Sequence, residues 1–117
     1  VADQNNDFQN VLDKLPLGTL ISKQPEGVIS YLNEKASELL QIPAESALGL
    51  RGLDFLVEEE KRNEIAKKLM EEGGSVSLRA LCRTMSGREF MATLYASQVI
   101  FGASPCTVII LADVQQL

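Results

Sequence analysis

From Val76 to Ala96 the apolar residues fall on every second position. Val76, Leu78, Ala80 and Cys82 alternate with Ser77, Arg79, Leu81 and Arg83. After the turn segment "MSGRE" (residues 85 to 89), Phe90, Ala92, Leu94 and Ala96 alternate with Met91, Thr93, Tyr95 and Ser97. A period of two is the signature of strands with one face buried, so this stretch predicts a β-hairpin. A second turn, "GASP" (residues 102 to 105), leads into Cys106 to Asp113, which is almost continuously apolar, as expected of a central strand buried on both faces. A sheet with an apolar face must be covered, so the earlier half of the chain has to supply helices.

It does so in a readable order. Phe8, Val11, Leu12 and Leu15 follow i, i+3, i+4, i+7, with Asp7 as N-cap and Pro16 as stop. Leu17 to Ser22 and Val28 to Leu32 read as strands joined by the turn "KQPEG", giving an antiparallel hairpin. Asn33 stands where strand becomes helix, and as an N-cap its oxygen contributes about 1 kcal/mol over alanine. Ala36, Leu39 and Leu40 form the inward stripe of the helix that follows, which Pro43 ends. Short turns follow at Ala44 to Gly49 and Leu53 to Leu56. A longer helix runs from Glu58 to Glu72, with Ile65, Ala66, Leu69 and Met70 on its buried face. The expected fold is α+β: a five-stranded antiparallel sheet with short helices on one face and an N-terminal helix. Residues 1–15 are expected to form a flanking helix and residues 16–117 the domain itself.

Composition excludes several functions. The chain has 117 residues, 45% of them apolar, enough for a buried core. Its net charge of −5, with acids and bases interspersed, gives no basic stripe for nucleic acid and no attraction to an anionic membrane. There is no histidine. That removes the commonest metal and haem ligand and every His-dependent nucleophilic triad. Cys82 and Cys106 lie apart in apolar segments and read as two reduced, buried thiols of a cytosolic domain. Asp54, Glu58, Glu59 and Glu60 crowd a helix start, where acids are favoured by the helix dipole and solvated, so they do not make an acid–base pair. With no P-loop and no Rossmann glycine pattern, no enzyme is expected. The longest apolar run, Val108 to Ala112, is too short to span a bilayer, and no signal peptide opens the chain. The expected location is cytoplasmic, also as part of a membrane-anchored receptor. Because the first residue is Val1, the chain is expected to be a module of a longer protein.

Two surfaces can carry function. The inner lining is expected to comprise Leu20, Ile29, Leu40, Phe55 and Ile65, together with Leu69, Leu78, Ala80, Leu94 and Ile110. It is nearly all aliphatic, and it reads either as a packed core or as a pocket for an apolar small molecule. On the opposite sheet face, Leu81, Met91 and Tyr95 form an apolar cluster, and such clusters mark contacts. The stripe of Phe8, Val11, Leu12 and Leu15 spans about two turns, too short to be stable alone. It must dock on this face, its own or that of a second copy, and a homodimer interface is expected here.

These motifs, in this order, resemble the PAS domain family of signalling proteins. "PEGVISYLN" (residues 25 to 33) is similar to the family's second strand. Asn33, Ala36 and Leu39 match its N-x-x-A-x-x-L helix start, "ESALG" (45 to 49) its E-x-L-x-G segment, and "SGREF" (86 to 90) the turn into its fourth strand. Asp113 and Val114 match the start of the terminal D-[IV]-T. Gln41 replaces the glycine that often follows the first helix, and Gln115 replaces the terminal threonine. The resemblance implies a sensory and regulatory module that transmits a signal through dimer geometry. Asp113 would be the signal exit toward an output domain in the same chain, of histidine kinase or diguanylate cyclase type. A stand-alone small-molecule binding protein is the alternative. The resemblance also implies that Asn33 is mainly structural. Haem-binding members use a histidine on the helix occupied here by residues 58 to 72, so histidine-ligated haem is excluded. Flavin members carry a reactive cysteine in a segment that neither Cys82 nor Cys106 matches, so no flavin is expected. Members that bind carboxylates use basic groups inside the pocket, whereas Arg79 and Arg83 should point away from it.

Overall fold

The computed structural model describes residues 17–71, 74–101 and 103–113. The helix expected for residues 1–15, with Phe8, Val11, Leu12 and Leu15, lies outside the described residues, as do residues 114–117. Five antiparallel strands form one sheet: β1 (Gly18–Lys23), β2 (Val28–Leu32), β3 (Ser75–Arg83), β4 (Glu89–Phe101) and β5 (Ser104–Asp113), in the order β2-β1-β5-β4-β3. The apolar β5 is the central strand, as its sequence implies. Between β2 and β3 come α1 (Glu34–Leu40), α2 (Ala44–Ala47), a 3-10 turn (Gly52–Phe55) and α3 (Glu59–Met70).

These helices cover the inner face. Leu20, Ile29, Ala36, Leu40, Phe55, Ile65, Leu94 and Leu111 belong to one buried cluster. Gly18 lets α1 approach β1 closely: a Cβ there would lie 3.1 Å from Leu39 Cδ1 and 3.2 Å from the Ala36 Cα.

Three expectations need correction. The first helix ends at Leu40, before Pro43. Gln41 takes the left-handed conformation (φ 55°, ψ 46°), and its amide donates to the carbonyls of Glu38 and Ser37. Pro43 instead precedes α2 as its N-cap. On α3 only Ile65 and Leu69 are buried, while Ala66 is exposed and Met70 is 85% exposed. The helix meets the sheet along an i, i+4 line, and the next position in each turn is rotated about 100° off it. Lastly, β5 is central but not buried evenly: Val108, Ile110 and Ala112 are only half-buried, whereas Ile109 and Leu111 are buried. The described helices cover the inner face alone, so the strand's alternation survives in its burial despite its uniform apolarity.

Candidate functional site

The inner face of the sheet encloses a cavity of about 20 Å³. Leu20, Leu40, Phe55, Ile65, Leu78 and Leu94 come together on its wall, as the sequence predicts. Ile29, Leu69 and Ala80 are buried in the same core but stand off the cavity wall. Ile110 is misplaced by the sequence reading: it pairs with Tyr95 on the outer face, and Ile109 and Leu111 line the cavity in its stead. In a uniformly apolar strand the hydrophobic pattern cannot fix the phase of the alternation. Register can, because Ile109 pairs with Leu20 and Ala96, both inward-facing. Gly52, Leu53, Leu56, Val76, Cys82 and Ala96 complete the wall. A cavity this small and apolar has room for about one water molecule, so the centre of the core is filled in this conformation.

Cys82 reaches the cavity from β3. Burial pushes its thiol up to about 12, because the thiolate would lose its hydration. It is therefore a neutral apolar wall group at ordinary pH, not a nucleophile. Arg79 and Arg83 are exposed, and Arg83 pairs with Glu89 at 2.7 Å. No cluster of His, Cys, Asp or Glu suited to a metal occurs among the described residues. Of the carboxylates at the start of α3, Glu58 accepts a hydrogen bond from the Leu81 amide at 3.3 Å.

Asn33 is fully buried and does more than cap. Its Oδ1 accepts from the Ala36 amide at 2.9 Å, the cap bond, and from the Thr19 amide at 2.9 Å. Its Nδ2 donates to the Leu17 carbonyl at 3.0 Å, and its own amide donates to the Thr19 carbonyl at 2.9 Å. One carboxamide thus fixes α1 to β1. The sequence shows the cap but not the strand partner, which lies fourteen residues away.

On the outer face, Leu81 is half-buried opposite Met91, which is 42% exposed. Tyr95 is 43% exposed and sits between Ser77 and Ile110. Nearby, Ile21 and Cys106 are buried with Tyr31, Val99 and Val108 packed against them. Asp113 is buried at the end of β5, opposite Ala92. Among the described residues no helix is long and apolar enough to cross a membrane.

A family model for the PAS fold matches residues 6–113. No curated protein matches the chain in sequence. Many solved structures share its fold. The PAS domain of a two-component sensor histidine kinase is 13% identical with a TM-score of 0.75, over 97% of this chain and 99% of that one. The PAS domain of a nitrogen regulation protein from Vibrio parahaemolyticus is 15% identical with a TM-score of 0.75, over 90% and 95%. An RNA-binding Light-Oxygen-Voltage receptor is 16% identical with a TM-score of 0.83, over 97% of this chain and 34% of that one.

Proposed function

The chain belongs to the PAS family, and on that premise we propose that it is the sensory and regulatory module of a larger signalling protein, passing its signal through the geometry of a homodimer. The observation that carries this reading is the asymmetry of the sheet. Its inner face carries the helices and the buried core, whereas its outer face keeps Met91 and Tyr95 exposed beside Leu81 and Ile110. Burying the exposed remainder of such side chains contributes on the order of 1 kcal/mol each, so pairing two such faces stabilises an assembly. Asp113 ends β5, the strand next to both β1 and β4, and a displacement of the outer face would reach whatever follows it. An output domain of histidine kinase or diguanylate cyclase type suits that role, and the likeness to the PAS domain of a sensor histidine kinase supports it.

The module is not an enzyme and carries no haem or flavin in this reading. The chain has no histidine to ligate a haem, and Cys82 lies on β3 and Cys106 on β5, outside the segment in which flavin members carry their reactive cysteine. Native mass spectrometry and an absorbance spectrum of the purified chain test this together. A colourless dimer is expected. A flavin or haem band that survives gel filtration would overturn the cofactor reading, and a persistent monomer would overturn the dimer.

A further inference from the structure

The chain closes much of both sheet edges with its own loops. At the β2 edge the Ile29 amide donates to the Leu50 carbonyl at 2.7 Å, the Gly49 amide to the Ile29 carbonyl at 3.2 Å, and Val28 bridges Arg51. At the β3 edge the Val57 amide donates to the Leu81 carbonyl at 2.9 Å, Leu56 bridges Cys82, and the Glu58 carboxylate accepts from the Leu81 amide. There the cover stops, because the chain turns into α3 at Glu59.

Backbone groups along an antiparallel strand point alternately to one neighbour and to the other. Those of Leu81 point away from β4, so those of Ser75, Ser77 and Arg79 do too. β3 pairs with β4 on its other side and ends the sheet. Among the described residues nothing pairs with these three outward amides and carbonyls. Burial follows the same boundary. Beside the covered half, the inward-facing Ala80 and Cys82 are 1% and 2% exposed, whereas Val76 and Leu78 beside the open half are only half-buried. Ser75, Ser77 and Arg79 are exposed, and Arg79 has no ion-pair partner among the described residues. No acid lies between Ser75 and Arg83, in a chain that carries 16.

We infer that the open half of the β3 edge, Ser75 to Arg79, receives an extended segment of a partner protein as a sixth strand, with apolar residues at alternate positions and acidic residues between them. A row of unpaired backbone groups is a template for such a strand. The segment's apolar side chains complete the cover of Val76 and Leu78, and a carboxylate on its other side meets Arg79. A second copy fits this edge less well: antiparallel pairing about Ser77 would set Arg79 against Ser75 and supply no carboxylate. The inference does not rest on the homodimer, whose residues Met91 and Tyr95 lie on the sheet's outer face.

Two acetylated, amidated hexapeptides are the probes, one alternating valine with glutamate and one alternating valine with lysine, in a ¹H–¹⁵N NMR titration of the whole chain. The glutamate peptide is expected to give saturating shifts at the Ser75, Ser77 and Arg79 amides and to slow their hydrogen exchange. The lysine peptide is expected to bind at least fivefold more weakly. Ser77→Pro removes an amide that β4 does not use, which an edge strand tolerates, and should weaken the glutamate peptide at least fivefold. Arg79→Glu should reverse the preference between the two peptides. Both variants should keep a dispersed spectrum, each guarding against a folding defect in the other. The inference is overturned if the glutamate peptide does not saturate, if its shifts centre on β2 or on Met91 and Tyr95, if the lysine peptide binds as tightly, or if either folded variant binds the glutamate peptide as well as the parent. Slow exchange of these amides in the free chain would assign the edge to another segment of this chain, and shifts with protein concentration alone would assign it to a second copy; either result overturns the inference.

Discussion

The Asn33 side-chain oxygen accepts a hydrogen bond from the Thr19 amide across the β1–α1 junction, at 2.9 Å, while also capping α1. Removing the carboxamide leaves two buried amide donors without their acceptor. Each such loss costs about 1–3 kcal/mol. Asn33→Ala should therefore destabilise the domain by about 2–6 kcal/mol in urea melts, well beyond the cap alone. A loss near 1 kcal/mol, the usual cap value, would mean that the Thr19 bond contributes nothing to stability.

Gly52 and Ser22 should be coupled. A Cβ at position 52 would fall 2.8 Å from Ser22 Oγ and 3.2 Å from Leu20 Cδ1. Gly52→Ala should cost about 1–3 kcal/mol as an overpacking change. In a Ser22→Ala background the nearest obstacle is gone, so the cost should fall by at least half. Ser22→Ala alone should be neutral or stabilising, since it removes a buried hydroxyl with no protein partner among the described residues. Equal costs in both backgrounds would show that the 3-10 turn does not rest on Ser22.

Cys82 should make the fold sensitive to alkali. Its thiol is pushed from 9.0 up to about 12 by burial. Above pH 9 the unfolded chain releases this proton and the folded chain holds it, so unfolding is favoured increasingly toward pH 12. The stability tied to this group is complete below pH 9 and lost across that interval. Urea melts at rising pH should show a steeper decline for the parent than for Cys82→Ala. Parallel declines would place the thiol in contact with water. Iodoacetamide at pH 8 should spare Cys82 until the chain is unfolded.

Much of this architecture is legible in the sequence because local rules and tertiary packing agree. The alternation from Val76 to Ala96 fixes the β3–β4 hairpin and its two faces, and Asn33 marks the strand-to-helix switch at the right residue. Legibility fails where local signals are silent or redundant. Ile110 falls on the wrong face in the sequence reading because every neighbour in β5 is apolar; pairing with Tyr95 decides it. Gln41 hides a left-handed helix end because the usual marker is glycine, and its side chain is also held by Ser86. The open half of the β3 edge is invisible for another reason: its limit is set by Leu56, Val57 and Glu58, which meet β3 only in the fold.

The central claim is that the outer sheet face joins two copies of the domain. Met91 and Tyr95 are 42% and 43% exposed there, so charged replacements should leave the fold intact. Sedimentation velocity of the parent chain and of Met91→Glu/Tyr95→Glu, each checked by circular dichroism, tests it most directly. The account predicts a dimeric parent and a folded, monomeric double variant. A parent that remains monomeric at high concentration, or a double variant that remains dimeric, would contradict it.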